Sequence, residues 1–427
     1  MQITSTRTLW QEIAEDGVGA VLDRISTQEA IDLAETYGTH NYKPLPVNLA
    51  RGQGSRVWDT DGKEYIDCIG CYSAVAHGHL NPAILAAIQE QVQRETLVSR
   101  AVYTSETGLF LKALADYAEL EVVCPMNSGA EAIETCIKLA RKWGYTKKGV
   151  PLNQAEIIVC EDNFHGRTTT IVGFSSQDEY KHYFGPYGPG FKIVPFGDLD
   201  AIRNAITPNT IAFLAEPIQA EGGIILPPEG YLQGVRQICD ENNMLLMWDE
   251  VQTGFCRTGH KFGWQAEPAK PDLIAVGKPL GGGFMPVSAA VGTREVLEVF
   301  GPGDHGSTFG GNPLGCTIAL AAMAEMETKD YVGKARRGEE ILMGGLASID
   351  SPLIKEVRGR GLLIGLEVVE STDGKALTQN LLSEGLITKE TRKRTYRFTP
   401  PIVTEEETLH EIVDRVTRAL QRTAAGS

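Results

Sequence analysis

The chain has 427 residues, more than one hydrophobic core ordinarily supports, so two or three packed lobes are expected. Hydrophobic residues make up 42% and charged residues 22%, the balance of an ordinary water-soluble globular protein. Lys and Arg number 40 against 55 Asp and Glu, and the resulting charge of −15 argues against a nucleic-acid or anionic-membrane surface while leaving room for a local basic pocket.

No apolar run approaches the roughly eighteen residues of a membrane span. The first thirty residues lack an apolar signal core and carry Glu12, Glu15, Asp16, Asp23 and Glu29 against Arg7 and Arg24, the wrong balance for a transit peptide. Eight scattered cysteines in such a chain point to a reducing, cytoplasmic setting. Cys68 and Cys71 form a lone CxxC with no second ligand pair, and His77 and His79 are read as structural, so no metal is expected.

In chain order, residues 1–40 read as polar helical turns, an arm. A hairpin follows, with Val57–Trp58 and Tyr65–Ile66 as strands and Asp61-Gly62 as the turn. The runs Ile157–Cys160, Thr170–Phe174, Ile211–Ala215, Met244–Trp248 and Leu273–Val276 read as buried parallel strands. Helical patterns at Gly129–Trp143 and Leu232–Asn242 separate some of them, and Leu314–Met326 reads as a long helix leading out of the large lobe. Further on, helix and strand alternate through Leu362–Val368, Leu377–Glu384, Tyr396–Phe398 and Thr404–Gln421, the last opening with Thr404 and Glu407 at capping-box spacing. The expected architecture is α/β: a large domain over residues 76–315, and a smaller one drawn from residues 1–75 and 316–427.

Four stretches carry chemistry. The strand Leu245–Trp248 ends in Asp249, which places a carboxylate at the edge where open α/β sheets bind ligands. The strand Leu273–Val276 runs into Gly277-Lys278-Pro279-Leu280-Gly281-Gly282-Gly283, an amine beside glycines that permit close backbone approach. The spacing of a phosphate-binding P-loop is missing, so Lys278 reads as an amine nucleophile able to condense with an aldehyde cofactor. Pyridoxal 5'-phosphate (PLP) needs such a lysine and also an acid against its ring nitrogen, a place Asp249 would fill. Ser128, Gly129 and Ala130, at the start of an amphipathic helix, offer free N–H groups to a phosphate, and Phe164 could stack on a ring.

Taken together, Asn127–Glu131, Asn163–Thr168, Glu216-Pro217, Asp249–Gly254, Gly277–Gly283 and Ser307–Pro313 resemble the class III aminotransferases of PLP fold type I, from about residue 40 onward. The resemblance implies that fold type, with a mixed, mostly parallel sheet in the large domain and a smaller α+β domain built from both termini. It also implies that Lys278 carries the cofactor, Asp249 partners the ring nitrogen and Gln252 faces the 3-hydroxyl side. Ser128, Gly129 and Ala130 would bind phosphate, Phe164 would stack, and Ser307 and Thr308 would complete the cofactor site. Thr308 would reach the neighbouring subunit's phosphate, which implies a homodimer with shared sites.

Within the family the resemblance is to the ornithine-type members, through His40–Val47, Tyr72–Val75, Lys138–Tyr145, Phe184–Phe191 and Gln219–Gly223. By that resemblance Arg167 takes the distal carboxylate of 2-oxoglutarate and Arg397 the α-carboxylate of glutamate. Glu221 covers Arg397 while ornithine is bound, and Tyr42 and Tyr72 contact ornithine's α-amino end. The implied reaction moves ornithine's δ-amino group to 2-oxoglutarate. Other ω-aminotransferases, acting on N-acetylornithine, lysine or 4-aminobutyrate, and a PLP racemase are the alternatives. There are two departures from the pattern: His165 stands where some ornithine-type members have tryptophan, and Lys389–Thr395, with Arg392, Lys393 and Arg394, is unusually basic.

Overall fold

The computed structural model describes residues 7–392 and 394–426; Lys393 of the basic segment lies outside them. Near the start, β1 (Leu49–Gln53), β2 (Arg56–Asp59) and β3 (Glu64–Asp67) form an antiparallel meander, with the expected Asp61-Gly62 turn between β2 and β3. Gly62 has φ +83°, the left-handed conformation that glycine adopts without steric cost. The polar arm before the meander contains helices Leu9–Asp16 and Thr27–Tyr37, whose starts are closed by Thr8 and Ser26 capping boxes.

Seven strands build the central sheet: β4 (Val122–Met126), β5 (Glu156–Cys160), β6 (Phe191–Val194), β7 (Thr210–Ala215), β8 (Leu245–Asp249), β9 (Leu273–Val276) and β10 (Ser288–Gly292). Their order is β4-β10-β9-β8-β7-β5-β6; β10 runs antiparallel to both neighbours and the other pairs are parallel. β7, β8 and β9 are buried along their whole length, because helices cover both faces of a parallel sheet and leave no solvated side. Helix Gly129–Trp143 covers one face through Ile133, Ile137 and Ala140, and helix Tyr231–Glu241 packs into the core that contains Trp248.

The remaining strands are β11 (Ile354–Arg360), β12 (Leu363–Val368), β13 (Leu386–Ile387), β14 (Lys389–Glu390) and β15 (Thr395–Phe398). They form a second sheet, β11-β12-β15-β14, while β13 leaves it to pair in parallel with β3. That pairing, Leu386 opposite Ile66 and Ile387 opposite Asp67, helps join the two ends of the chain over one core with helices Gly374–Ser383 and Glu406–Ala425.

Two expectations are corrected. Thr170–Phe174 is not a strand but lies in and just after helix Thr169–Gly173: the Thr168 hydroxyl accepts from Ile171 N at 3.2 Å, and one helical turn buries Ile171 and Val172. Thr404 and Glu407 make no capping box. The last helix starts at Glu406 with Glu405 as an unbonded N-cap, because the Thr404 hydroxyl donates to Pro401 O at 2.7 Å inside the preceding turn. Strands β1, β4, β6, β10, β11, β13 and β14 fall outside the runs that read as strands in the sequence. β4 contains Pro125, which is tolerated because β4 is a sheet edge, and β10 is a run of small residues, Ser-Ala-Ala-Val-Gly.

Ile66 is fully buried at the joint between the chain ends. Ile66→Ala is expected to cost about 2–5 kcal/mol of unfolding free energy, seen as a lower denaturant midpoint. A midpoint equal to that of the parent would refute the placement of the joint.

Candidate active site

The parallel strands β5, β7, β8 and β9 all end at one edge, and the loops leaving them enclose a cavity of about 190 Å³. Asp249 is the last residue of β8 and Lys278 follows two residues after β9. Phe164 and His165 follow β5, and Glu216 follows β7. Gly129 and Ala130, the first turn of helix Gly129–Trp143, line the same cavity with their N–H groups at the positive end of the helix dipole. The sheet therefore gathers residues more than a hundred positions apart.

Lys278 sits at φ +45°, a left-handed conformation that a lysine adopts only when the surroundings impose it. Its Nζ donates to Gln252 Oε1. Burial pushes the ammonium down to about 8. Roughly a tenth of the amine is thus neutral at pH 7, far more than an ordinary lysine offers, and a nucleophile or proton acceptor needs that form. Among the described residues the buried Nε2 of Gln252 has no hydrogen-bond partner, a donor left over in the wall of the cavity.

Asp249 Oδ1 accepts from Val251 N at 3.0 Å, and Oδ2 lies 2.7 Å from His165 Nδ1. Facing a carboxylate, that nitrogen carries the ring proton, so His165 fixes the orientation of Asp249. Glu216 is fully enclosed and burial raises its carboxyl to about 7; it accepts from Phe164 N and Ala220 N, each at 3.1 Å. His165 and Glu216 were given no role from the sequence. Both stand inside quoted motif stretches, but only the sheet shows that they face Asp249 and the Phe164 loop.

The residues assigned to substrate fall around this centre. Arg397, buried in β15, pairs its Nη1 with Glu221 Oε1, and its guanidinium lies 5.0 Å from the Tyr72 ring. Burial alone would raise the Glu221 carboxyl, but Arg397 outweighs it and holds the group below its ordinary value. Tyr72 lies within a run of three left-handed residues, Cys71, Tyr72 and Ser73 at φ 48°, 55° and 76°. This strained turn is pinned by Thr399, whose N–H donates to Cys68 O at 2.7 Å and whose hydroxyl donates to Ile69 O at 2.8 Å. Tyr42 and Tyr72 line an adjoining cavity of about 270 Å³. Arg167 is exposed, with its guanidinium 3.6 Å from the Tyr180 ring.

Three residues assigned to the cofactor do not line the cavity. The Ser128 hydroxyl caps its helix through Glu131 N at 3.3 Å. Ser307 Oγ accepts from Asn127 Nδ2 at 3.0 Å and from Gly310 N at 2.9 Å, and Thr308 is exposed. Among the described residues no group of metal-ligating side chains occurs: His77 is bound to Ala322 O at 3.1 Å and His79 to Asp67 at 2.8 Å.

An amine of depressed basicity, an oriented carboxylate and a helix N-terminus around one cavity are what a PLP-type transferase of fold type I requires, and the Nε2 of Gln252 supplies a further donor. The chain belongs to the class-III aminotransferases, whose family model matches residues 37–420. It is 48% identical to an ornithine aminotransferase of Brevibacillus brevis over 93% of this chain and 99% of that one. An ornithine aminotransferase of Bacillus subtilis is 46% identical over 92% of this chain and 98% of its own. Among solved structures, the ornithine aminotransferase of Toxoplasma gondii superposes with a TM-score of 0.94 at 36% identity, covering 99% of both chains. The acetylornithine aminotransferase of Elizabethkingia anophelis gives a TM-score of 0.85 at 37% identity, over 93% of this chain and 100% of that one.

Because condensation needs the neutral amine, the initial rate at which the apoprotein captures PLP is expected to rise with pH and level off above about 8. Stopped-flow absorbance would follow it. A rate still climbing toward the ordinary lysine range of about 10.4 would show that Lys278 is not depressed.

Proposed function

We propose that this protein transfers the δ-amino group of L-ornithine to 2-oxoglutarate, giving glutamate 5-semialdehyde, which cyclises to pyrroline-5-carboxylate, and glutamate. The observation that carries the reading is the pair between Arg397 and Glu221. Ornithine must react at an amine remote from its carboxylate, whereas 2-oxoglutarate reacts at the carbon beside one. An arginine near the reacting carbon therefore helps the second substrate and hinders the first unless it is neutralised. A glutamate on a turn beside the cavity can do this reversibly. The similarity to ornithine aminotransferases over nearly the whole chain supports the same substrate.

When bound, PLP supplies an aldehyde that condenses with amines and a ring that withdraws electrons from the adjacent carbon. Lys278 would hold it covalently and, once released by the incoming amine, take the proton from ornithine's δ-carbon and return a proton during the exchange. Asp249, oriented by His165, would hold a proton on the ring nitrogen. Gly129 and Ala130, with Ser128 at the cap, would hold the phosphate through N–H groups, Phe164 would pack on the ring, and Gln252 would donate to the 3-hydroxyl side. Tyr42 and Tyr72 would receive ornithine's α-amino end in the adjoining cavity. Arg167, exposed and resting on the Tyr180 ring, would take the distal carboxylate of the oxo acid, since guanidinium pairs bidentately with carboxylate.

The proposed assembly is a cytoplasmic homodimer in which Ser307 and Thr308 extend the partner's phosphate site. In support, Leu97, Val102, Tyr103, Leu109 and Phe309 are exposed, and Thr107 Oγ1 donates to Gly311 O at 2.8 Å, so these apolar side chains belong to neighbouring segments. All eight cysteines are unpaired, which suits a reducing compartment.

Lys278→Ala is expected to abolish turnover and the visible absorbance of the covalently loaded protein; a coloured, active variant would sink the assignment. Purified PLP-loaded protein, supplied with 2-oxoglutarate, is expected to prefer ornithine over N-acetylornithine, lysine and 4-aminobutyrate, with glutamate formed in step with pyrroline-5-carboxylate. Tyr72→Ile should narrow the gap between ornithine and 4-aminobutyrate by about tenfold, roughly one lost hydrogen bond to a charged group. An unchanged profile would remove Tyr72 from the specificity argument. Preference for N-acetylornithine, the substrate named for the Elizabethkingia anophelis relative, would replace the ornithine reading.

A further inference from the structure

A gate needs two seats. The structure places Glu221 in the closed one, against Arg397, so the open state requires somewhere for a carboxylate to go when a substrate carboxylate takes that arginine. Left in a partly enclosed site without a partner, the displaced Glu221 would oppose the very substrate it must admit.

The unusually basic stretch before β15 supplies an available cation. Arg392 has a largely buried side chain, 19% exposed, and among the described residues neither Nη1 nor Nη2 has a hydrogen-bond partner. Asp162 Oδ1 is 3.8 Å away, beyond hydrogen-bonding distance, and already accepts from Gln177 Nε2 at 2.6 Å. The Arg392 guanidinium rests 4.6 Å from the Tyr180 ring, which also carries Arg167 at 3.6 Å, so two cations share one aromatic ring.

The backbone of this stretch lies against the Glu221 turn. Thr391 Oγ1 donates to Glu221 O at 3.1 Å, and a Cβ added at Gly223 would lie 3.3 Å from Arg392 O. Gly223 has φ +113°, so the turn that carries Glu221 takes a course only glycine follows without strain. Glu221 is 23% exposed, which leaves its side chain room to rotate. Burial raises the Glu221 carboxyl, while Arg397, Lys278 and Arg392 lower it, so Arg392 is already within electrostatic reach.

We propose that Arg392 is the second seat of Glu221: it receives the carboxylate displaced from Arg397 when a substrate's α-carboxylate occupies that arginine. This assigns Arg392 as a positioning residue that acts through Glu221 and favours the glutamate and 2-oxoglutarate half of the cycle over the ornithine half. It rests on the gate reading above. Two buried guanidinium nitrogens without hydrogen bonds are costly, and a carboxylate that arrives and leaves satisfies them in one half-reaction only.

The test uses the PLP-loaded full-length protein and single-turnover half-reactions, read by cofactor absorbance with L-glutamate or L-ornithine as donor. Arg392→Gln is expected to weaken apparent binding of glutamate about tenfold while that of ornithine changes less than about twofold, the size of an ordinary coupling between neighbouring charged groups. Arg392→Lys should restore part of the glutamate loss. With Glu221→Ala there is no carboxylate to reseat, so adding Arg392→Gln should change the glutamate reaction less than about twofold.

A tenfold loss that persists in the Glu221→Ala background would mean that Arg392 grips the substrate carboxylate itself, and would overturn the proposal. Equal losses for both donors would show a merely structural role, and no loss at all would show that the seat is not used. Both results refute it. If the protein reacts with glutamate but not with ornithine, the ornithine reading fails while this inference stays testable, because the glutamate arm and its Glu221→Ala control carry it.

Discussion

Parallel strands share a direction, so everything that follows them in sequence emerges at one edge, and the site is built on that constraint. β5, β7, β8 and β9 are adjacent and parallel, with Leu214 beside Met247 and Asp249 beside Ala275. Their next residues supply Phe164 and His165, then Glu216, Asp249 and Lys278, in one row across the sheet. The long crossovers that parallel strands demand explain why these groups are so far apart in the chain. Helix Gly129–Trp143 adds its N-terminus to the same edge, because a helix packed against a parallel sheet runs antiparallel to the strands and starts where they end.

A row of ionisable groups with little access to water holds together only if the charges answer one another. Asp249 is met by His165, and Glu221 by Arg397. Glu216 is raised to about 7 by burial and is held by two backbone N–H groups. Lys278 gives up basicity, settling at about 8. The last of these is the useful departure, since it gives an amine that can act both as nucleophile and as proton carrier near neutral pH. Burial thus tunes the site as well as enclosing it.

Around this fixed centre lie pieces that come from both ends of the chain. Tyr42 and the strained turn at Tyr72 come from the N-terminal part, and Arg397 from β15. They meet because β13 pairs with β3 and Thr399 bonds the 68–69 backbone. In the proposed reading, a substrate mouth assembled in this way would change its charge through one side chain, Glu221, without disturbing the sheet that holds Lys278 and Asp249.

The sequence by itself determined a good deal. Continuous apolar runs marked the buried strands β5, β7, β8 and β9, because a strand covered on both faces has no polar positions to betray. Asp249 and Lys278 were legible because each ends such a run, and Gly129–Trp143 because its amphipathic period is strong. The sequence misled where a local signal had a rival use: Thr168 caps a helix where a strand was expected, and the Thr404 hydroxyl closes a turn instead of capping. The meeting of Glu221 with Arg397 was implied by the family resemblance, whereas only the tertiary structure decided that His165 orients Asp249, that Glu216 lies beside it and that, among the described residues, Arg392 has neither Nη in a hydrogen bond. The His165–Asp249 and Glu221–Arg397 pairs join residues 84 and 176 positions apart. Local sequence encodes the period and the cap, whereas a charge finds its partner only when strand order and crossover length bring distant loops to the same edge.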